Sequence, residues 1–337
     1  MKLSIVILVW NDLRVIAACL RSIYAGTRLT DFEVIVSDNG STDGSVQFIR
    51  EAYPQVRVIE NGTNLRFSKG NNIGIQASTG EYVLILNPDT IVHEGALDRW
   101  IQVADWHAEC GAFGCRVLNA DGSYQGPARP FPSVWHDLIG ALCLRWLGFL
   151  SDAFLSDTYV GWNGDTERTV DWQSGCCVMF RGDLLRRLGG FDEQFLFYYE
   201  DVDLCRRVWK ARYPILYTPD VTITHLGGQS TLHAPRFFEL EKYRNRYRYF
   251  YKHYGRQGVR RCRLVTLTSL LARCLGYGLL QFAKPDSGRA HRLALYQMAI
   301  RWNLTVDPVR LIEHGEEPAF EQTSRRSEGS CPPLREE

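Results

Sequence analysis

The sequence predicts an α/β fold built on a parallel sheet and followed by a helical C-terminal region. Three observations carry this. The apolar runs at 3–9, 33–37, 56–59 and 82–86 are continuous rather than alternating, as in strands buried on both faces. Segments of helical period separate them, such as Leu13, Ile16, Ala17, Leu20, Ile23 and Tyr24 ending at Gly26. The first, second and fourth runs end on polar residues, where open sheets of this kind collect ligands: Trp10-Asn11, Asp38-Asn39 and Asn87-Pro88-Asp89.

The 337 residues are 45% hydrophobic and 23% charged, which excludes disorder throughout. With 39 basic and 38 acidic residues the net charge is +1, so the global balance gives no reason to expect nucleic acid as a partner. Ten cysteines are scattered, with only Cys176 and Cys177 adjacent and no CxxC pair. Neither a zinc ribbon nor a disulfide framework is spelled, and a reducing, cytoplasmic compartment is expected. The first run enters Trp10-Asn11-Asp12 with no small-x-small cleavage site and reads as a buried strand.

The turn after the first run has no glycine, so the GxGxxG fingerprint of a dinucleotide-binding domain is missing, and no GxxxxGK[ST] phosphate loop occurs anywhere. A ligand here must be held by side chains or by a metal. Pro127, Pro130 and Pro132 precede an apolar stretch at 134–150, which His136, Asp137 and Arg145 interrupt; a docked or interfacial helix is expected there. A strand at 176–180, a short helix closed by Gly189-Gly190, a helix beginning near Glu200 and a strand at 221–224 follow. Residues 236–263 hold ten Lys or Arg, two Glu and eight aromatics, and residues 264–282 are mostly apolar. That apolar stretch is about one bilayer thickness long at ~1.5 Å per residue, but Arg273, Thr266, Thr268 and Ser269 argue against spanning. Two readings stay open for this region: attachment to an anionic membrane surface, or a packed helical subdomain with a solvated basic face. The tail from Glu313 is expected to be disordered.

Seven motifs, in order, resemble the inverting, GT-A type glycosyltransferases of family 2, and among them the rhamnosyltransferase-like members. They are the opening strand into Trp10-Asn11; Ser37 through Asp38-Asn39-Gly40 to Ser45; Asn64 through Lys69-Gly70-Asn71-Asn72; Leu86-Asn87-Pro88-Asp89-Thr90; Trp172-Gln173-Ser174-Gly175; Gly189-Gly190-Phe191-Asp192-Glu193; and Tyr199-Glu200-Asp201-Val202-Asp203-Leu204. The resemblance covers roughly residues 2–254. It implies a GT-A fold, a Rossmann-like nucleotide-binding half fused to an acceptor-binding half around a mixed central sheet. The implied divisions are a catalytic domain at 1–235, split into a nucleotide-sugar half (1–118) and an acceptor half (119–235), a helical region at 236–312 and a tail at 313–337.

The resemblance also implies roles. Asp38 would accept the N3–H of a uracil or thymine ring, although its Asp-Asn-Gly-Ser-Thr-Asp string is equally turn and helix-start chemistry, a role then left to Ser41 or Asp43. Trp10, Asn11, Asn39, Asn71 and Asn87 would line the nucleotide sugar. Arg66, where the family usually has Gly-Phe, would be a contact particular to this chain. Asn87-Pro88-Asp89 stands where the family has a DxD metal motif, with its first aspartate missing; Asp89 alone can serve, because phosphate and water complete an octahedron. His225, at the end of the last strand, matches a position that holds metal in many members, and an imidazole beside a carboxylate favours Mn²⁺ over Mg²⁺. Asp201 falls on the apolar face of its helix with Leu204, Cys205 and Val208 and would be the catalytic base, kept ionised by the helix N-terminus. Glu200 would serve the acceptor or metal side, Asp203 the helix dipole, and Trp172 with Gly175 an acceptor wall.

The expected activity is metal-dependent transfer of L-rhamnose from dTDP-rhamnose to a saccharide or lipid-linked saccharide, in growth of a bacterial surface polysaccharide. UDP-hexose or UDP-galactofuranose donors stay open. The protein is then expected in the cytoplasm, in peripheral contact with the inner face of the membrane. A catalytically impaired nucleotide-sugar-binding scaffold is the alternative from another class. A nucleotidyltransferase is disfavoured by the missing glycine-rich, lysine-bearing N-terminal signature.

Overall fold

The computed structural model describes residues 1–141, 144, 158, 159, 161–227 and 235–314. Strands β1 (Leu3–Val9), β2 (Phe32–Asp38), β3 (Arg57–Glu60) and β4 (Tyr82–Leu86) pair in parallel in the order β3-β2-β1-β4. Helices α1 (Leu13–Gly26), α2 (Ser45–Ala52) and α3 (Arg66–Ala77) make the connections. Leu3, Ile5, Ile7 and Val9 of β1 pack into one apolar cluster, whereas Val6 packs into a second with Val83 and Ile85 of β4. Both faces of the sheet are therefore covered at β1 and β4, which is why these runs do not alternate apolar with polar.

The chain continues through β5 (Thr90–Val92), α4 (Ala96–Trp106), β6 (Ala112–Leu118), β7 (Ala128–Arg129), α5 (Val134–Ala141), β8 (Arg168–Val170), β9 (Trp172–Gln173), β10 (Cys177–Arg181), α6 (Gly182–Arg187), α7 (Glu200–Lys210) and β11 (Ile215–His225). β10 enters antiparallel between β4 and β6, and β11 extends the sheet beyond β6. A mixed sheet of nine strands results among the described residues, with β7 and β9 forming a separate pair. The last strand is longer than the expected 221–224. It begins at Ile215 and its register slips between Thr218 and Thr222, where Pro219 has no N–H for the ladder. The described cysteines are all free thiols, with Cys115 and Cys177 sulfurs 3.7 Å apart across β6 and β10.

By its internal contacts the chain divides into two compact units, residues 1–131 with 157–227, and residues 132–156 with 228–337. The second contains α5, α8 (Pro235–Ala283), α9 (Ser287–Thr305) and α10 (Pro308–His314). α8 is two helices joined at Gly255, whose φ of 67° and ψ of −168° break the helical path. Its basic, aromatic first half is largely engaged within the unit. Tyr243, Tyr247, Tyr249 and Phe250 are buried, Tyr247 stacks on Trp302, Arg246 pairs with Asp137, and Arg244 pairs with Glu241. Helix α10 continues through Glu313 and His314, past the expected start of the tail, because Glu313 is held by Arg256 and Tyr251. Residues 315–337, expected to be disordered, and most of 142–150, expected to extend the α5 helix, lie outside the described residues.

Helix α3 lies so close to β1 that a Cβ at Gly74 would come within 2.4 Å of Val6 Cγ1, a stiff β-branched atom. Gly74→Ala is expected to destabilise the protein by about 1–3 kcal/mol through overpacking, read as a lowered urea midpoint.

Candidate active site

The ends of β1, β2 and β4 open on one side of the sheet. Asn11 adopts a left-handed backbone (φ 58°), its amide donating to Ser41 Oγ at 2.9 Å and its Oδ1 accepting from the Thr42 amide at 2.8 Å. The Trp10 amide donates to Asp12 Oδ2 at 2.9 Å. Asp38 is buried and its carboxylate accepts from the amides of Gly40 (3.0 Å) and Ser41 (3.1 Å), closing this turn, while the helix-start role expected of Ser41 or Asp43 is taken up by Asp43. Asp43 accepts from the amides of Leu13 (2.9 Å) and Ser45 (3.0 Å). Asn39 ties the next loop down, accepting from Asn61 and donating to Asn64 Oδ1 and the Arg66 carbonyl. Arg66, also left-handed (φ 69°), sets its guanidinium over the Phe197 ring. Asn71 donates to the Phe67 carbonyl of its own helix and leaves a buried Oδ1 without a partner among the described residues. Asn72 is a structural clasp, donating to the Phe191 carbonyl and accepting its amide.

At the end of β4, Asp89 Oδ1 lies 3.2 Å from Nε2 of His225, the last residue of β11, and Asn87 Nδ2 lies 3.4 Å from the same nitrogen. The tautomer of His225 follows from a chain of hydrogen bonds anchored on a carboxylate. Asp121 accepts from Ser123 Oγ, so Ser123 accepts from the Asn119 amide group; Asn119 Oδ1 therefore accepts from Gln125 Nε2, and Gln125 Oε1 faces His225 Nδ1 at 2.9 Å. Nδ1 must carry the hydrogen. With the imidazole neutral, an Nε2 lone pair and a carboxylate oxygen converge on one point, a donor set that fits Mn²⁺ and carries the outer-sphere partner that metal-binding histidines use.

Two residues of chain, Cys176 and Gly175, link this point to a second pair of acids. The Asn87 amide donates to the Cys176 carbonyl, and the Gly175 amide donates to Asp201 Oδ2, each at 2.9 Å. A Cβ at Gly175 would stand 3.4 Å from the Asp201 Cβ and 3.5 Å from the Phe67 ring, distances of ordinary contact, so this approach does not itself require glycine. Glu200 and Asp201 open α7 directly after Tyr198 and Tyr199, both in the left-handed region (φ 66° and 70°), a strained entry of the sort that collects at functional sites. The expectation that the helix N-terminus keeps Asp201 ionised needs correction. Burial raises its pKa above the usual carboxylate range, opposed by the Gly175 and Val202 amides and by the charge of Arg129. Glu200 is pushed well above its ordinary value by burial and by the neighbouring Asp201, and its Oε2 is buried without a partner among the described residues. Glu200 therefore holds the proton and Asp201 is the one that ionises. Asp203 does more than complement the dipole: fully buried, it pairs at 2.8 Å with Arg207, which also donates to the Leu188 and Gly190 carbonyls. Trp172 is half-buried, donates Nε1–H to the Pro130 carbonyl at 2.9 Å and lies opposite Arg129 on the β7–β9 pair.

The structure thus brings Asp89, His225 and Asn87 together, and Asp201, Glu200 and Gly175 together. Sequence reasoning missed Gln125 and its relay, Arg129 and Asp12. Only Arg129, set between Ala128 and Pro130 in a proline-rich stretch, stood in a conspicuous context.

Residues 4–156 match the family described as Glycosyl transferase family 2. Over 220 residues the chain is 32% identical to the N-acetylglucosaminyl-diphospho-decaprenol L-rhamnosyltransferase of Mycobacterium tuberculosis, covering 60% of this chain and 69% of that protein. It is 27% identical over 206 residues to a rhamnosyltransferase of Escherichia coli, covering 58% of this chain and 72% of that one. Among solved structures, a mannosyltransferase from Pyrobaculum calidifontis in complex with GDP-Man and Mn²⁺ superposes with a TM-score of 0.54 at 16% identity, covering 94% of this chain and 88% of that one. The first 349 residues of TarS from S. aureus, in complex with UDP-GlcNAc, give 0.51 at 16% identity, covering 90% and 81%.

Asp12 yields the pH prediction. Burial, with the charges of Asp89, Asp43 and Asp38, pushes its pKa from 3.8 up to about 7. A carboxyl raised on folding stabilises the fold below its unfolded pKa and loses that contribution as pH rises through the folded one. Unfolding free energy is therefore expected to fall between pH 3.8 and about 7 by up to roughly 1.4 kcal/mol per pH unit from this group. Asp12→Asn should flatten that slope in denaturant titrations across the window.

Proposed function

The chain belongs to glycosyl transferase family 2 and is an inverting glycosyltransferase of GT-A fold, and on that premise we propose that it transfers L-rhamnose from dTDP-rhamnose to a lipid-linked saccharide during synthesis of a bacterial surface polysaccharide. The identity to the mycobacterial L-rhamnosyltransferase supports the sugar and the lipid-linked acceptor. One observation carries the chemistry: a carboxylate and an imidazole lone pair converge on one point, and the adjoining segment presents a buried aspartate held by a glycine amide.

In this reading Asp89 and His225 hold a divalent cation, Mn²⁺ or Mg²⁺, which when bound supplies positive charge against the donor diphosphate. Asp38 at the end of β2 faces the base, and Trp10, Asn11, Asn39, Arg66, Asn71 and Asn87 line the nucleotide sugar. Trp172 and Gly175 form the acceptor wall. Asp201 takes the proton of the acceptor hydroxyl as its oxygen bonds to the anomeric carbon from the face opposite the departing diphosphate, inverting the centre. Arg129 favours the ionised form of Asp201, and Glu200, keeping its proton, donates a hydrogen bond to a sugar oxygen. The enzyme works on the cytoplasmic side, in peripheral contact with the membrane that carries its acceptor.

Asp201→Asn is expected to lower kcat by about 10²–10⁴-fold while nucleotide binding persists. Thermal stabilisation by dTDP should exceed that by UDP or GDP and should require Mn²⁺; equal or metal-independent shifts would remove the donor or the metal assignment respectively. Asp89→Ala should abolish the metal-dependent shift, and Gln125→Ala should weaken Mn²⁺ binding about 10–100-fold by releasing the His225 tautomer. Full transfer by Asp201→Asn would return Asp201 to a structural role, and no nucleotide binding at all would leave the scaffold reading standing.

A further inference from the structure

The second half of α8 presents an apolar stripe that nothing in the catalytic chemistry uses. Leu264, Leu271, Leu275, Leu279 and Phe282 are 65%, 49%, 70%, 72% and 91% exposed. At 100° per residue all five fall within an arc of about 80°, over about 27 Å of helix. Arg261 shares that arc and Arg260 stands just beside it, one turn before Leu264. The helix is long and apolar enough, by length and composition, to cross a membrane. Its other face is committed within its own unit: Cys262, Val265, Thr266 and Leu270 are buried, and Tyr277 packs on Tyr296 of α9, receiving a hydrogen bond from Arg292. Beyond Leu270 the helix is exposed on other faces as well, with Leu280 at 54% and Arg273 on the side away from the stripe, and an exposed cation opposite an apolar stripe suits an interface better than a span.

We infer that this face of α8, from Arg260 to Phe282, docks on an anionic lipid bilayer, with the leucines and Phe282 entering the headgroup boundary. Charge selects this occupant. Residues 260–305 hold eight Lys or Arg against one Asp. Cations stand at both ends of the stripe, Arg260 and Arg261 before it and Lys284 after it, so a second copy of the chain would bring like charges together in either orientation, whereas anionic headgroups complement them. Arg260 also lines a cavity of about 300 Å³ with Arg256, Arg263, Arg310 and His314 and with the carboxylates of Asp307 and Glu313, of which Glu313 is taken by Arg256. Of the basic run and the apolar stretch that the sequence offered together as the attachment region, the contact falls to the apolar stretch and the arginines at its start. The inference rests on the proposed lipid-linked acceptor only for its purpose; the surface itself stands on the exposed stripe.

The test is co-sedimentation of the full chain with phosphatidylcholine vesicles with and without phosphatidylglycerol. The triple variant Leu275→Gln, Leu279→Gln, Phe282→Gln should lose at least about tenfold in partitioning, with melting temperature and transfer to a water-soluble saccharide unchanged. Arg260→Gln with Arg261→Gln should lose the preference for phosphatidylglycerol. Wild-type protein that stays in solution, or a triple variant that sediments as wild type does, would overturn the assignment. So would a wild-type dimer in lipid-free solution that the triple variant dissociates, which would make the stripe a contact between copies. Binding that the triple variant loses, in an enzyme that uses soluble and lipid-linked saccharides equally well, upholds this surface and removes the lipid-linked acceptor.

Discussion

The burial of a carboxyl group among other carboxylates at the strand ends is the constraint around which the rest of the site is arranged. Asp12 bears it: burial first, and then the charges of Asp89, Asp43 and Asp38, hold its proton up to about pH 7. Asp38 and Asp43 accept from backbone amides, whereas Asp89 faces the Nε2 lone pair of His225 and has no such donor from it. In this setting Asn87 in place of a further aspartate has a physical sense. A fifth carboxylate would add to the repulsion, whereas the amide of Asn87 reaches the same imidazole nitrogen as Asp89 without adding charge.

The same economy separates the two acids of α7. Side by side and buried, they cannot both ionise, and backbone geometry decides which one does: Asp201 receives the Gly175 and Val202 amides and the field of Arg129, Glu200 only its own backbone amide. The decision depends on parts far away in sequence. The Gly175 amide belongs to the turn before β10, and Asp203 with Arg207 fastens the first turns of α7 to the carbonyls of Leu188 and Gly190. Charge state at the start of α7 is thus a property of how three segments meet.

Much of the frame is legible in the sequence because it depends on local periodicity. β1 and β4 fall on the expected residues, and β2, β3 and β10 differ by a residue or two. The order of the strands was legible only through family likeness, since no short-range signal tells 177–181 to enter between 82–86 and 112–118. The start of β11 was hidden by Pro219, which reads as a break and proves to be a slip in register. At the site, residues whose chemistry stands out in the sequence could be singled out: Asp38, Asp89 and His225 at or just past strand ends, and Asp201 at a helix start. Gln125, Asn119 and Ser123 could not, because ordinary polar residues acquire a role only when a fold lines up their donors and acceptors.

The antiparallel β10 also sets a timetable. β4 and β6 are separated in sequence by 25 residues, yet neither completes its pairing until a strand almost sixty residues beyond β6 arrives between them. Until then a growing chain carries two open sheet edges, both apolar, and the matched family region at 4–156 stops short of the strand that closes them. Such non-local closure slows folding and lengthens the exposure of sticky edges. Truncations ending before residue 181 therefore offer the cell an aggregating fragment in place of a smaller nucleotide-binding domain.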